Sequence, residues 1–239
     1  MRIAILSANE KNALAILALV ANELSAQHID CSVATDHTFP GELPDMVFLL
    51  GYDKIVDAGT IARLRGRMAV FHSSDLPKGR GWAPIYTTLA SQNPVHTITL
   101  CYLAHPVDSG NILLKARIPV PSHYTAGVLR QVGQQVIARM IARYARRFEG
   151  DLPSGLKQEG PATYVHRRTP EDAAMEADQP LEALMPHILA SETPNAAYVM
   201  YRGERFRIVS VPERQDFRDD FSIEEYFGAT LDRTVPLSF

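Results

Sequence analysis

Two segments of this chain carry side chains able to move a proton. The first is Phe71-His72-Ser73-Ser74-Asp75-Leu76-Pro77-Lys78-Gly79-Arg80-Gly81-Trp82-Ala83-Pro84-Ile85, in which a histidine stands where a hydrophobic strand runs out into a proline- and glycine-rich loop. The second, Val107-Asp108-Ser109-Gly110-Asn111-Ile112-Leu113, sets a carboxylate on another turn. Imidazole exchanges a proton near neutrality, which suits it to general acid and base work. A carboxylate beside it orients the ring and stabilises the imidazolium that forms. Each residue also has an ordinary structural reading, since a histidine after a strand is usually capped or partly buried and Asp-Ser-Gly is a common turn former. What favours a site is the run after His72, where Leu76-Pro77 leads into the cationic Lys78-Gly79-Arg80-Gly81.

These residues need a scaffold, and the first 150 positions supply an alternation of short apolar runs and helical patterns. That alternation predicts an α/β fold, a Rossmann-like, mostly parallel sheet flanked by helices. Strands are expected at residues 2–6, 31–34, 45–50, 68–71, 97–103 and 112–120, and helices at 12–26, 55–64 and 84–91. In the stretch 125–148, Val128, Val132, Val136, Met140 and Tyr144 recur at helical spacing, so a long helix lies on the sheet. Its last turns hold Arg139, Arg143, Arg146 and Arg147, which suit the helix dipole and a solvated face better than an anion site. Residues 150–160 break every pattern and set a boundary between a catalytic domain at 1–150 and a small C-terminal α+β unit at 151–239. That unit holds a helix at 180–189, which Pro186 should bend or shorten, and a hairpin turning at Tyr201-Arg202-Gly203-Glu204.

Composition excludes several classes. The chain has 239 residues, 46% hydrophobic and 21% charged, with a net charge of −3, so a basic nucleic-acid binder is not expected. No apolar run is long enough to span a membrane and the first ten residues soon turn polar, so a cytoplasmic location is expected. Neither G-x-G-x-x-G nor G-x-x-x-x-G-K-[ST] occurs, which disfavours dinucleotide and P-loop chemistry. Cys31 and Cys101 lie in strand-like runs and read as reduced thiols. His28, His37, His96, His105, His123, His166 and His187 lack metal-ligand spacing, and no metal is expected.

The His72 loop and the Asp108 turn resemble the signature of the folate-dependent formyltransferases, H-x-S-x-L-P-x-x-R-G-x-x-P followed by D-[ST]-G. Downstream, Tyr164-Val165-His166-Arg167-Arg168-Thr169-Pro170-Glu171-Asp172 and Ala197-Tyr198-Val199-Met200-Tyr201-Arg202-Gly203 are similar to the segment after the core in sugar N-formyltransferases of the pseudaminic or nonulosonic acid type. The resemblance implies a formyl group passed from N10-formyltetrahydrofolate to a primary amine, with His72 as general acid and base and Asp108 supporting it. It implies a folate site along Leu103, Ala104, His105 and Val107, with Leu50, Gly51 and Tyr52 lining the formyl pocket. Tyr52 also reads as a simple strand cap. Ser74, Lys78, Arg80 and Trp82 fall where acceptor or folate tail would lie, and solvated loop charges are an equal reading.

One position departs from the family pattern. The family's Asn, two residues before the His, is Val70 here. The negative charge on the formyl oxygen then needs another donor, for which the 72–74 backbone amides or the hydroxyls of Ser73 and Ser74 are nearest in sequence. The slight acidity and the roughly 90 residues after the core point toward an amino-sugar acceptor and away from tRNA. The alternatives are a non-sugar amine such as hydroxyornithine, or a formylfolate-binding protein without turnover. A homodimer is compatible with the aromatic tail Phe217, Phe221, Tyr226 and Phe227, as is packing of the tail on its own chain.

Overall fold

The computed structural model describes residues 1–24, 29–39, 42–64, 66–148, 150–211, 221–227 and 233–236, the last four by backbone alone. In chain order the first half contains β1 (Arg2–Leu6), α1 (Glu10–Glu23), β2 (Asp30–Ala34), β3 (Met46–Leu50), α2 (Ala58–Arg63), β4 (Met68–His72), β5 (Arg80–Gly81), α3 (Pro84–Ala90), β6 (Val95–Tyr102) and β7 (Ile112–Pro119). The second half contains α4 (Ala126–Arg147), β8 (Tyr164–Val165), α5 (Leu181–Ala190), β9 (Tyr198–Tyr201), β10 (Glu204–Arg207), β11 (Ser222–Glu225) and β12 (Arg233–Pro236).

Caps set the helix starts. Asn9 accepts from the Asn12 amide at 3.1 Å, so α1 begins before the apolar pattern does, and its expected last residues lie outside the described ones. The Asp57 carboxylate accepts from the Thr60 amide at 3.0 Å, which starts α2 three residues later than the apolar run suggests. Thr125 caps α4, whose inward stripe of Val128, Leu129, Val132, Val136, Met140 and Tyr144 is buried. Helix α5 continues through Pro186 to Ala190, so this proline does not shorten it as expected.

The main sheet has the order β12-β11-β7-β6-β4-β3-β1-β2. Strands β2, β1, β3 and β4 are parallel, and β3 is buried from end to end, as an apolar run covered on both faces should be. From β4 outward every pairing is antiparallel. The connection from β6 to β7 is short and can only make a hairpin, which places Asp108 in a hairpin loop. One face of the sheet packs under α1 and α4, while the other carries a smaller cluster of Leu6, Leu49, Leu64 and Met68.

Residues beyond 150 return to the preceding part of the chain at several places, among them the following three. β8 pairs with β5, α5 packs beside α3 with Tyr86 Oη 2.8 Å from His187 Nδ1, and β11 adds to the main sheet along β7. The weak pattern of the tail has a cause, because Glu225 occupies an inward position of β11 and is fully buried. Arg143 of α4 pairs with it, and Arg147 lies 3.5 Å from its other oxygen, offsetting the desolvation of the carboxylate. Phe221 and Tyr226 are buried within the chain, whereas Phe217 lies outside the described residues. The expected hairpin forms between β9 and β10, with Arg202 at φ 51° and Gly203 at φ 85°, the left-handed pair a two-residue turn needs. Among the described residues no helix is long and apolar enough to cross a membrane.

Candidate active site

Alternation along β4 sends Val70 and His72 to one face and Phe71 into the core on the other. Val70 pairs in register with Cys101 and His72 with Thr99, so these four side chains share that face. The buried His72 ring is engaged at both nitrogens. Its Nε2 lies 2.8 Å from the Gly79 carbonyl, which can only accept, so Nε2 carries a proton. Nδ1 faces Asp108 Oδ2 at 3.4 Å. A proton taken up by the ring at Nδ1 would sit between that nitrogen and the carboxylate. Here a backbone carbonyl fixes the ring's tautomer, and the carboxylate stands beside the nitrogen free to take a proton.

Asp108 is itself held. It is buried with φ 58°, and Oδ2 accepts from the Gly81 amide at 3.2 Å. Gly79 and Gly81, on either side of Arg80, thus present a carbonyl and an N–H to the two members of the pair. The two residues of β5 pair with β8, where Arg80 N donates to Thr163 O at 2.9 Å and Trp82 N to Val165 O at 3.0 Å. A Cβ on Gly81 would lie 2.6 Å from the Val165 carbonyl, so the pairing needs glycine there.

Arg80 is not the surface cation its sequence context suggests. It is buried, with Nη1 donating to Tyr164 Oη at 3.0 Å and Nη2 to Gln158 Oε1 at 2.7 Å. Gln158 in turn donates from Nε2 to the carbonyls of Asp108 (2.9 Å) and Gly110 (2.8 Å). Sequence reasoning passed over Gln158 because it sits in a patternless stretch, and a lone Gln between turn residues carries no signal. The Ser74 hydroxyl donates to Lys78 O at 2.8 Å, closing the loop on itself. Lys78 is exposed, and Trp82 is half-exposed under the Arg167 guanidinium, 4.7 Å from its ring centre.

The other expected positions divide. Leu50 points into the large core on the opposite face, and Gly51 is exposed at φ 54°. Tyr52, Val70 and Leu103 all pack against the cluster of Leu6, Leu49 and Met68, which gathers them into one apolar patch on the His72 face. Tyr52 also bonds His37 Nδ1 at 2.7 Å, and burial raises its phenol above the usual value. Because β6 is antiparallel to β4, Leu103 lies at the start of β4, donating to Met68 O at 2.8 Å, and the loop then travels back until Asp108 meets His72. Ala104 is partly covered, and His105 and Val107 are exposed along that path. A separate cleft of about 350 Å³ opens beyond the loop, lined by Asp75, Lys78, Lys115, Lys157 and Glu159 among others, and neither His72 nor Asp108 lines it. Among the described residues no cluster has the makings of a metal site.

Two neighbours are kept uncharged. Burial and then the Asp108 charge push the Cys101 thiol far up, so it stays protonated beside Val70. Burial, and secondarily the charge of His72, bring His96 down from 6.5 to about 4, with Nδ1 2.8 Å from the Thr88 hydroxyl. The folded chain resists a proton that the unfolded chain takes below about 6.5, so this contribution to stability is complete above that pH and lost as pH falls toward 4. At pH 5 the loss is roughly 2 kcal/mol. Urea unfolding at pH 7 and pH 5 should show it, and His96→Asn should flatten the difference.

The formyl transferase family model matches residues 3–143. The methionyl-tRNA formyltransferase of Moorella thermoacetica is 27% identical over 170 residues, 69% of this chain and 53% of that protein. The chain thus spans about half the length of the curated relatives it matches. Among solved structures, a methionyl-tRNA formyltransferase from Clostridium thermocellum superposes with TM-score 0.73 at 20% identity, covering 99% of both chains. A sugar N-formyltransferase from Shewanella superposes with TM-score 0.65 at 16% identity, covering 90% of this chain and 98% of that one. At these identities the superpositions establish the shared fold.

Proposed function

The chain belongs to the formyl transferase family, and from that premise we propose that it moves a formyl group from N10-formyltetrahydrofolate to the primary amine of an amino sugar, nucleotide-linked or a nonulosonic-acid precursor. The observation that carries the reading is the His72 ring, fixed at Nε2 by the Gly79 carbonyl and facing Asp108 through Nδ1. In the reaction the acceptor amine adds to the formyl carbon and its proton passes to His72 Nδ1, where Asp108 stabilises the imidazolium. The tetrahedral intermediate then collapses, the bond from formyl carbon to folate N10 breaks, and the proton goes from Nδ1 to N10. Val70 offers only methyl groups to the developing oxyanion, and the Ser74 hydroxyl is already bonded to Lys78 O. Its charge falls to the imidazolium and to backbone N–H groups. The apolar patch of Tyr52, Val70 and Leu103 suits the flat pterin of the donor.

Support for a sugar acceptor comes from the 167–172 block, which lies along the catalytic loop. Arg167 covers Trp82, Arg168 lies 3.5 Å over the Tyr86 ring, and the Asp172 carboxylate accepts from the Thr169 amide at 2.6 Å. A half-exposed Trp beside arginines suits stacking on a sugar or base and pairing with a phosphate or carboxylate. The relatives' names favour a second reading, methionyl-tRNA as acceptor. The test is release of tetrahydrofolate from N10-formyltetrahydrofolate with amino sugars, their nucleotide-linked forms, hydroxyornithine and methionyl-tRNA offered in parallel. Turnover confined to a sugar supports the reading, turnover with methionyl-tRNA replaces it, and binding of formylfolate without turnover on any amine makes the chain a binding protein.

A further inference from the structure

The geometry points to Gln158 as a positioning residue for formyl transfer, acting through Asp108. The inference rests on the reading of the reaction just given. The Gln158 amide has two N–H donors and an acceptor oxygen, and all are directed at the site. Nε2 donates to the carbonyls of Asp108 and Gly110 at 2.9 and 2.8 Å, and Oε1 accepts from Arg80 Nη2 at 2.7 Å. Both carbonyls can only accept and the guanidinium can only donate, so the amide fits in one orientation. It grips the Asp-Ser-Gly turn on both sides of Ser109, at the place where Asp108 takes φ 58°. A left-handed aspartate persists only where its surroundings hold it. The second arm of the clamp, Arg80, is buried and anchored by Tyr164 Oη at 3.0 Å, so the turn is tied to β5 and β8 together. β5 carries the Gly81 amide that donates to Asp108 Oδ2, and the residue just before it, Gly79, supplies the carbonyl that orients His72. Gln158 thereby couples the two halves of the pair through the Asp108 carbonyl and the Arg80 guanidinium.

Gln158→Glu keeps the shape and the acceptor for Arg80, loses both donors and sets an oxygen against two carbonyls. A space-filling role would tolerate it, whereas a clamp would not. The expected result is a fall in kcat of roughly 10- to 100-fold, the range met when a partner that orients a functional ligand is removed, with the KM for the formyl donor little changed. In an Asp108→Asn background the same substitution should change kcat by less than about twofold, because its route of action is gone. Amide exchange at Gly81 is read on the free protein by NMR and should accelerate in Gln158→Glu as Asp108 Oδ2 leaves that N–H. An unchanged kcat, or an equal loss in both backgrounds, overturns the inference. If the wild type transfers no formyl group to any amine, the reading of the reaction has failed, and exchange at Gly81 alone decides whether Gln158 holds Asp108.

Discussion

His72→Ala is expected to lower kcat for formyl transfer by about a thousandfold, within the range that a positioned general acid and base contributes. The size follows from how many functions one ring performs. In the proposed reaction Nδ1 receives the amine proton and returns it to folate N10, and the imidazolium that forms faces Asp108. Alanine removes proton carrier and cation together, and with Val70 in the preceding inward position no side-chain donor on β4 takes over the charge. Asp108 keeps its bond from the Gly81 amide and its tie to Gln158, so the turn stays in place without a partner. Donor binding should survive, because the apolar patch of Tyr52, Val70 and Leu103 does not include the ring. The measurement is single-turnover release of tetrahydrofolate alongside donor affinity by fluorescence quenching. Retention of a tenth of the wild-type rate with intact folding would remove His72 from the chemistry.

Much of this site was legible before any coordinates, and the parts that were not share a physical cause. His72 and Asp108 could be picked out because each stands at a break between an apolar run and a turn, and such breaks are visible one residue at a time. The strands of the parallel half followed from runs such as Met46–Leu50, buried on both faces and therefore apolar throughout. The direction of β6 was not legible, since an alternating strand looks the same run either way, and only the short return to β7 identifies a hairpin. Glu225 hid β11 by placing a carboxylate inside, where its partners Arg143 and Arg147 are about 80 residues away in sequence. Arg80 and Gln158 misled for the same reason. A guanidinium in a glycine loop reads as exposed unless the oxygen that buries it is known, and here that oxygen belongs to a residue 78 positions on.

Gly110→Ala should be the most damaging change outside the His72–Asp108 pair, and it separates two reasons for a glycine. A Cβ at Gly110 would lie 1.9 Å from the Tyr102 carbonyl oxygen and 2.7 Å from its carbon. Both are backbone atoms at the end of β6, where Tyr102 N also bonds Asn111 O at 2.9 Å. No side-chain rotation relieves that contact, so the turn must move off β6, which costs about 3 kcal/mol or more by the usual toll of overpacking. Gly51 is the contrasting case, with φ 54° and nothing within 4 Å of an added Cβ, so alanine there meets only the left-handed backbone penalty of about 1 kcal/mol. Urea unfolding of Gly110→Ala and Gly51→Ala measures the difference, and a Gly110→Ala variant as stable as Gly51→Ala would refute the close approach. The catalytic consequence follows from the same geometry. Gly110 O is one of the two carbonyls that Gln158 grips, so displacing it loosens Asp108 two residues away. The glycine of the Asp-Ser-Gly motif is thus required because a strand passes too close for any side chain, and that contact keeps the carboxylate within reach of His72.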